Sequence, residues 1–245
     1  MTSCVLIIVA MVLFLLSCQS LSPRGKTPHP SVGMVLIPEG SFLMGSEHGD
    51  KDEVPVHEVY LDAFYIDRYE VINKHYEHYL KSTGAMPPRY WGQETYCSGP
   101  QYPDYPVCGV NWYQANDFCH WVGKRLPTEA EWEKASRGGL EGREYPRGDQ
   151  AESFPSGDGS HLLLPKGSSL PNDYGLYSMV TGVWEWCADW YQEDYYKISP
   201  AKNPKGPQKG LFKVMRGLER NANRFSSPPD YNKSFYGFRC VKELP

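Results

Sequence analysis

The chain has 245 residues, a formal net charge of −4 and a hydrophobic share of 40%. These values are typical of a globular protein with one large or two small domains. Because basic residues do not cluster, a nucleic-acid partner is not expected. No segment of about 20–50 residues recurs, which excludes a repeat array. The 23 glycines and 21 prolines indicate a loop-rich fold with short elements.

The N-terminal segment predicts export. Residues 5–16 are apolar, a run shorter than the roughly 20 residues that a membrane-spanning helix needs. Such a run fits the core of a signal peptide, which we place at residues 1–17. The sequence Leu15-Leu16-Ser17-Cys18 resembles a bacterial lipobox, which implies that Cys18 is acylated and attaches the chain to a membrane. An ordinary signal peptide or an uncleaved anchor is the alternative.

The destination and the domain limits follow from the next residues. Position 19 is Gln19, not the aspartate that retains a lipoprotein in the inner membrane, so the outer membrane is expected. Residues 18–32 are polar and contain several prolines, which predicts a flexible tether. The folded domain is predicted at 33–244.

Short apolar runs predict the first strands. Residues 34–37 and 41–45 flank the turn sequence Pro38-Glu39-Gly40 and predict a β-hairpin. Alternation over 59–66 predicts one further strand. A long loop at 86–107, rich in Pro, Gly and Tyr, is expected to lie on the surface.

Three helices are predicted from their ends. Asn73 is the expected N-cap of the first helix, which Gly84 ends. Asn111 is the expected N-cap of the second, whose apolar residues form one stripe. In the third, the Thr128 hydroxyl and the Glu131 side chain can form a capping box.

Several motifs occur in an order that resembles one known family. They are Gly-Lys-Arg-Leu-Pro-Thr-Glu-Ala-Glu-Trp-Glu at 123–133, Met-Val-Leu-Ile-Pro-Glu-Gly-Ser-Phe-Leu-Met-Gly at 34–45, Val-Trp-Glu-Trp-Cys-Ala-Asp-Trp-Tyr at 183–191 and Tyr-Gly-Phe-Arg-Cys at 236–240. The chain resembles the sulfatase-modifying-factor family, whose founding members are the formylglycine-generating enzymes. This resemblance implies a single α+β domain of the C-type-lectin-like class, loop-rich and low in regular secondary structure.

The resemblance also bears on the cysteines. Cys119 and Cys240 match a pair that is bridged in the family's characterised enzymes. Export favours disulfides, and Cys97 and Cys108 bound one loop, so they are the natural second pair. Cys187 is expected to be a buried thiol among aromatic residues. The alternative is that all five cysteines are reduced.

A calcium site of the family falls on the 183–191 motif. There Glu185 is the expected carboxylate ligand, with the carbonyls of Val180 and Val183. The Gly-Asn pair that the family places before this strand is Thr181-Gly182 here, so one side-chain ligand is missing. Calcium is therefore a possible cofactor.

The last part of the chain bears on catalysis. The founding enzymes bind copper(I) through two cysteines in the loop after the strand that matches 213–217, and copper(I) selects such soft thiolates. Residues 220–224 align with the segment after that loop, so the loop is absent and no Cys occurs between Cys187 and Cys240. Copper is not expected, and we assign no catalytic residue.

These observations lead to three hypotheses on function. The first is a binding or assembly lipoprotein, because a shortened loop should leave a groove lined by Asn221, Asn223, Arg224 and Tyr231. A polar, aromatic groove of this kind suits a peptide, protein or glycan. The second is a formylglycine-generating oxidase acting on a cysteine of sulfatases. The third is another oxidative tailoring activity of the family. The Arg216, Arg224 and Arg239 side chains match family arginines, for which pairing with buried acids is an alternative to binding substrate.

Overall fold

A computed structural model describes residues 33–150 and 163–244. The chain from Gly33 onward forms one compact unit. Within the described ranges, no helix is long and apolar enough to cross a bilayer. The predicted signal peptide, the tether and Cys18 lie outside the described residues.

In residues 33–150 and 163–244, nine short strands form three sheets. The strands are β1 (Met34–Ile37), β2 (Gly40–Met44), β3 (His57–Leu61), β4 (Phe64–Asp67), β5 (Trp184–Trp190), β6 (Lys213–Arg216), β7 (Phe225–Ser227), β8 (Tyr236–Gly237) and β9 (Val241–Glu243). Their order is β1-β4-β9 in one sheet, β2-β3 in a second and β7-β6-β5-β8 in a third. All pairs are antiparallel except β5–β8. The α+β class with little regular structure is confirmed.

The predicted hairpin is wrong in its pairing. β1 pairs with β4, and β2 pairs with β3, so the two predicted partners lie in different sheets. The predicted strand at 59–66 is likewise divided between β3 and β4. The turn at 38–40 lacks the Asn-Gly or Asp-Gly sequence that closes a tight hairpin, so pairing with distant strands decides the arrangement.

Three α-helices accompany the sheets in the described residues: α1 (Asn73–Thr83), α2 (Trp112–Trp121) and α3 (Glu129–Arg137). Capping boxes begin α2 at Asn111 and α3 at Thr128, as predicted. The predicted cap of α1 is wrong, because Ile72 is the N-cap. The side-chain Nδ2 of Asn73 instead donates to the carbonyls of Cys97 and Tyr102, and so holds the 86–107 loop against α1.

In the part of the chain that the structure describes, buried apolar residues form two clusters. One packs β1–β4 against α3 and includes Ile66 and Trp132. The other packs α1 and α2 against the third sheet and includes Tyr76, Trp186 and Phe238. α3 lies between the sheets, and all nine of its residues are buried although five of them are charged.

A single disulfide is present among the described cysteines, and it joins Cys119 of α2 to Cys240 just before β9. The Cys119–Cys240 prediction is confirmed. Cys97, Cys108 and Cys187 are free thiols, so the structure contradicts the predicted Cys97–Cys108 bridge. The Cys108 Sγ instead lies 3.5 Å from the carbonyl oxygen of Tyr96. Cys187 is buried, as predicted.

Candidate functional site

Beneath β6 and β7 lies a network of buried charges. Arg216, which has no exposed surface, contacts Glu129 at 3.0 Å and Glu133 at 2.6 Å. Arg224 contacts Glu129 at 2.7 Å. Burial alone would raise the pKa of Glu133, but the charges of Arg137 and Arg216 outweigh it and lower that pKa. Arg216 and Arg224 therefore neutralise buried acids of α3. This agrees with the alternative predicted for the family arginines, that they pair with acids and do not bind substrate.

A second buried pair lies at β5. Glu185 accepts hydrogen bonds from Arg239 at 2.8 Å and from the Trp132 indole at 2.8 Å. Glu70 lies 3.9 Å from Arg239. Burial, with a contribution from the charge of Glu185, raises the pKa of Glu70 to about 8, although Arg239 opposes the shift. In this second network, Arg239 is the cation that neutralises the buried carboxylates.

The Glu185 contacts determine how calcium would fit. Calcium takes six to eight oxygen ligands, whereas both carboxylate oxygens of Glu185 already face the Arg239 guanidinium. The expected ligand set consists of this one carboxylate and the carbonyls of Val180 and Val183. Because the guanidinium already places a positive charge at the carboxylate, the set does not fit a second cation. Calcium at this position stays a prediction.

A third buried acid makes stability depend on pH. Asp189 accepts the amide hydrogen of Glu129 at 2.9 Å, and burial, aided by the charge of Glu129, raises its pKa from 3.8 to about 8. The native state thus retains a proton that the unfolded chain releases above about pH 4. Stability should therefore fall as pH rises from about 5 to 7.5, by roughly 1 kcal/mol per pH unit for each such acid. Glu70 acts in the same direction.

The Asp189→Asn variant tests this expectation. An asparagine can still accept the Glu129 amide hydrogen but has no proton to release, so the slope of unfolding free energy against pH should become flatter. Urea denaturation at several pH values below 8 measures the slope. The exposed Glu219→Gln is the matched control and should leave it unchanged. Equal slopes for wild type and Asp189→Asn would refute the role of Asp189.

The groove predicted from sequence is not one surface in the structure. Asn221, Asn223 and Arg224 are at most 6% exposed. Their side chains bind groups of the protein, including Ser136 for Asn221 and Asp50 for Asn223. Tyr231 is 54% exposed and lines a separate cleft. The prediction was wrong in its geometry because the first three residues face inward.

The cleft at Tyr231 is the larger of two described clefts, with a volume of about 590 Å³. Its wall comes from the segment between β7 and β8 and from the loop after α1. The lining residues are Arg89, Tyr90, Asp230, Tyr231, Asn232, Lys233, Ser234 and Phe235. They combine three aromatic rings, two cations, one carboxylate and small polar groups. Such a mixture can contact an extended polar ligand through both rings and charges.

Backbone contacts hold both walls of this cleft. The amide of Trp184 on β5 donates to the carbonyl of Phe235 at 2.8 Å, and the amide of Trp112 donates to Pro229 at 3.0 Å. On the other wall, the amide of Arg89 donates to Gly109. The cleft is therefore built on the third sheet and the start of α2.

The second cleft is smaller, about 180 Å³, and lies beside the end of β2. Its main cation, Arg220, is already paired with Glu53 at 2.8 Å. Arg137, which also lines it, is bound to Glu133. Because these charges are satisfied internally, this cleft offers a ligand less free polar chemistry than the larger one.

Near β6, the described residues offer no pair of accessible thiols for chemistry of the copper(I) type. Burial raises the pKa of the Cys187 thiol well above its ordinary value, and the Asp189 charge adds to the shift. Cys119 and Cys240 are joined to each other. The segment 217–224 contains no cysteine. Within the described residues, the remaining thiols are those of Cys97 and Cys108, both in or next to the loop after α1.

Comparison with known families decides the identity of the domain. Residues 19–244 match the model of the sulfatase-modifying factor enzyme 1-like domain. The chain belongs to the sulfatase-modifying factor family. The resemblance seen in the motifs is thereby confirmed.

Relatives of this sulfatase-modifying factor domain carry different names. A formylglycine-generating enzyme of Thermomonospora curvata is 33% identical, and the match covers 90% of this chain and 97% of the relative. That alignment spans 296 positions, more than this chain contains, so the relative has segments that are missing here. An inactive C-alpha-formylglycine-generating enzyme 2 of Mus musculus is 31% identical, covering 94% of this chain and 91% of the relative.

A third relative is a longer protein. The serine/threonine-protein kinase pkn1 of Chlamydia caviae is 40% identical over 85% of this chain, but the chain spans only 38% of its length.

Solved structures support the fold. PvdO from Pseudomonas aeruginosa matches with a TM-score of 0.72 and 29% identity, covering 86% of this chain and 94% of that one. The Treponema denticola variable protein 1 matches with a TM-score of 0.73 at 24% identity, covering 86% of this chain and 95% of that one, which bears on the fold alone. The sulfatase-modifying factor fold of the C-type-lectin-like class is thus confirmed for this chain.

The sequence predicts residues in only one wall of the larger cleft. It indicates Tyr231 as a binding residue but not Arg89 or Tyr90, since these precede Tyr231 by about 140 positions. The available signal was the Pro-rich, Tyr-rich composition of the 86–107 loop. Composition locates such a loop on the surface but does not say which distant segment it faces.

Proposed function

We propose that this chain is a binding member of its family, which holds an extended peptide in the cleft at Tyr231 and does not generate formylglycine. The observation that carries the proposal is the segment 217–224. It is short, contains no cysteine, and turns Asn221, Asn223 and Arg224 into the interior. The copper(I) chemistry of the founding enzymes needs two thiolates there.

The cleft favours a peptide over a glycan. Its volume of about 590 Å³ lies in the range of known ligand sites. Tyr231 presents an exposed ring, and rings of this kind pack against proline, aromatic side chains or sugars alike. The cleft also presents charges of both signs, Arg89, Lys233 and Asp230, which ionic side chains of a peptide can match and a neutral glycan cannot.

The first test addresses oxidation. Purified, copper-loaded protein is incubated under air with a Cys-x-Pro-x-Arg peptide, and the peptide is analysed by mass spectrometry. We expect no more aldehyde than a copper-only control produces. Loss of the thiol with gain of an aldehyde above that control would support the formylglycine-generating alternative, which the similarity to named formylglycine-generating enzymes favours.

The second test addresses binding. An array of random ten-residue peptides and an array of neutral oligosaccharides are probed with the labelled protein and with Tyr231→Ala. We expect the wild-type protein to be retained on some peptides and Tyr231→Ala to be retained less, because the variant lacks the ring that contacts the peptide. The ring is exposed, so its removal should leave the fold intact. Retention of the protein on oligosaccharides alone would show that the ligand of the cleft is a glycan and not a peptide.

We also propose that the chain is exported and anchored through an acylated Cys18, at the outer membrane. The support is the apolar run at 5–16, whose last two residues begin the lipobox-like sequence Leu15-Leu16-Ser17-Cys18. Mass spectrometry of the membrane fraction should find an acylated N-terminal Cys18 in the mature chain. An unmodified N-terminus at another residue would refute the anchor without affecting the binding proposal.

A further inference from the structure

The larger cleft carries a net positive charge on a protein whose formal charge is −4. Its cations are Arg89 and Lys233, and its carboxylate is Asp230. All three side chains are exposed. Within the described ranges, none of the three forms an ion pair, and no side-chain hydrogen bond holds them. These charges are therefore available to a ligand.

Arg89 differs in this respect from its fellow arginines. Arg143, which is also exposed, is paired with Asp149, and the half-buried Arg220 with Glu53. The Arg89 guanidinium lies over the ring of Tyr90, at 5.6 Å from the ring centre, and contacts no acceptor in the described part of the chain. A guanidinium offers five N–H donors in a planar fork that matches a carboxylate.

The ring beneath Arg89 is held firmly. Tyr90 packs on Tyr96 with ring centres 4.5 Å apart. A Cβ added at Gly109 would lie only 2.5 Å from the Tyr90 ring, so any residue other than glycine at position 109 would displace the ring. Gly109 also accepts the Arg89 amide hydrogen. The backbone of Arg89 and the ring under its guanidinium are thus in place before a ligand arrives, which lowers the ordering cost of binding.

The rest of the cleft suits the neighbours of a bound carboxylate. Asn232 and Ser234 offer polar groups for a peptide backbone, and Lys233 adds a second cation. Tyr231 offers a ring to an adjacent apolar or proline side chain. Asp230 disfavours a ligand with two negative charges, such as a phosphate group. A single carboxylate is therefore the anion that this set of charges fits.

We propose that the cleft binds an acidic peptide, with a Glu or Asp carboxylate held by Arg89 and the next side chain packed on Tyr231. This inference rests on the proposed function and specifies its ligand.

The experiment uses the full folded protein and three variants. The array of random ten-residue peptides supplies binders, and the strongest are resynthesised with a fluorescent label, each with every acidic residue in turn changed to its amide. Fluorescence anisotropy gives the affinities. We expect the strongest binders to be rich in Glu and Asp, and one Glu→Gln change in the peptide to weaken binding about tenfold, the low end of what losing a hydrogen bond to a charged group costs.

The variants assign that difference to one side chain. Arg89→Gln should bind the Glu and Gln peptides equally, while Lys209→Gln, which removes one exposed cation outside the cleft's lining, should keep the tenfold preference. Arg89→Lys keeps the charge but not the fork and should retain only part of it. Thermal unfolding should be the same for all, since both positions are exposed.

The outcomes separate the inference from the function on which it rests. Neutral peptides bound as tightly as acidic ones would overturn the acidic ligand and leave peptide binding intact. Stronger binding of phosphopeptides than of their Glu forms would overturn the choice of a carboxylate. Retention of no peptide at all would overturn both proposals, and an unchanged preference in Arg89→Gln would overturn the role of Arg89.

Discussion

Replacing Arg216 with methionine should lower the free energy of unfolding by about 3–5 kcal/mol, the usual cost of removing one partner from a buried ion pair. Arg216 is fully buried and contacts Glu129 and Glu133, which are themselves almost inaccessible to water. Without the guanidinium, Glu129 keeps Arg224 and Glu133 keeps Arg137, but the cation that bridges the two buried carboxylates is lost and each acid is left with one arginine. Urea denaturation measures the change.

Two further variants make this prediction specific. Arg143→Met removes the cation of an exposed pair with Asp149 and should change stability by less than about 1 kcal/mol. Adding Glu133→Gln to Arg216→Met should recover part of the loss, because it removes a buried carboxylate that has lost one of its two arginine partners. A loss of under about 1 kcal/mol for Arg216→Met alone would show that the network contributes little to stability.

Removing the disulfide should have a comparable effect. The bond between Cys119 and Cys240 closes a loop with a sequence separation of 121. On the chain-entropy model, opening a loop of that length costs about 4–5 kcal/mol. We therefore expect the double variant Cys119→Ala/Cys240→Ala to unfold at much lower urea concentration than the wild type. Both positions are buried, so alanines introduce no unpaired polar group.

Reduction of the native protein provides the control. A reductant should shift the wild type toward the double variant and leave the double variant unchanged. If the wild type and the double variant unfold at the same urea concentration without reductant, the bridge does not form in the protein. Alkylation before and after unfolding distinguishes the remaining thiols, since Cys187 is fully buried and Cys97 is partly accessible.

Local chemistry in the sequence determined a good part of this protein. The helix starts at Asn111 and Thr128 were predictable because a cap needs only a side chain and an amide three residues away. The family and its fold followed from motifs whose order survives in the chain. The Cys119–Cys240 bridge followed from that resemblance. The short, cysteine-free segment after β6 is likewise visible in the sequence itself.

Long-range contacts decided the rest. Sequence alternation located β1 and β2 but not their partners, because strand pairing depends on which distant edge each strand meets. The charges of α3 look like those of a surface helix, yet Glu129 and Glu133 are buried, since Arg216 and Arg224 arrive from about 90 positions further on to neutralise them.

The same cause separated the predicted groove into an interior and a surface. Arg224 looked like a groove residue beside Tyr231, but Glu129 holds its guanidinium inside the molecule. Arg89, which has no such acid within the described residues, stays at the surface beside Tyr231. A single sequence specifies which residues carry charge. Only the tertiary structure decides which charges find a partner, because a buried charge is stable only where the fold places its opposite within a few ångströms.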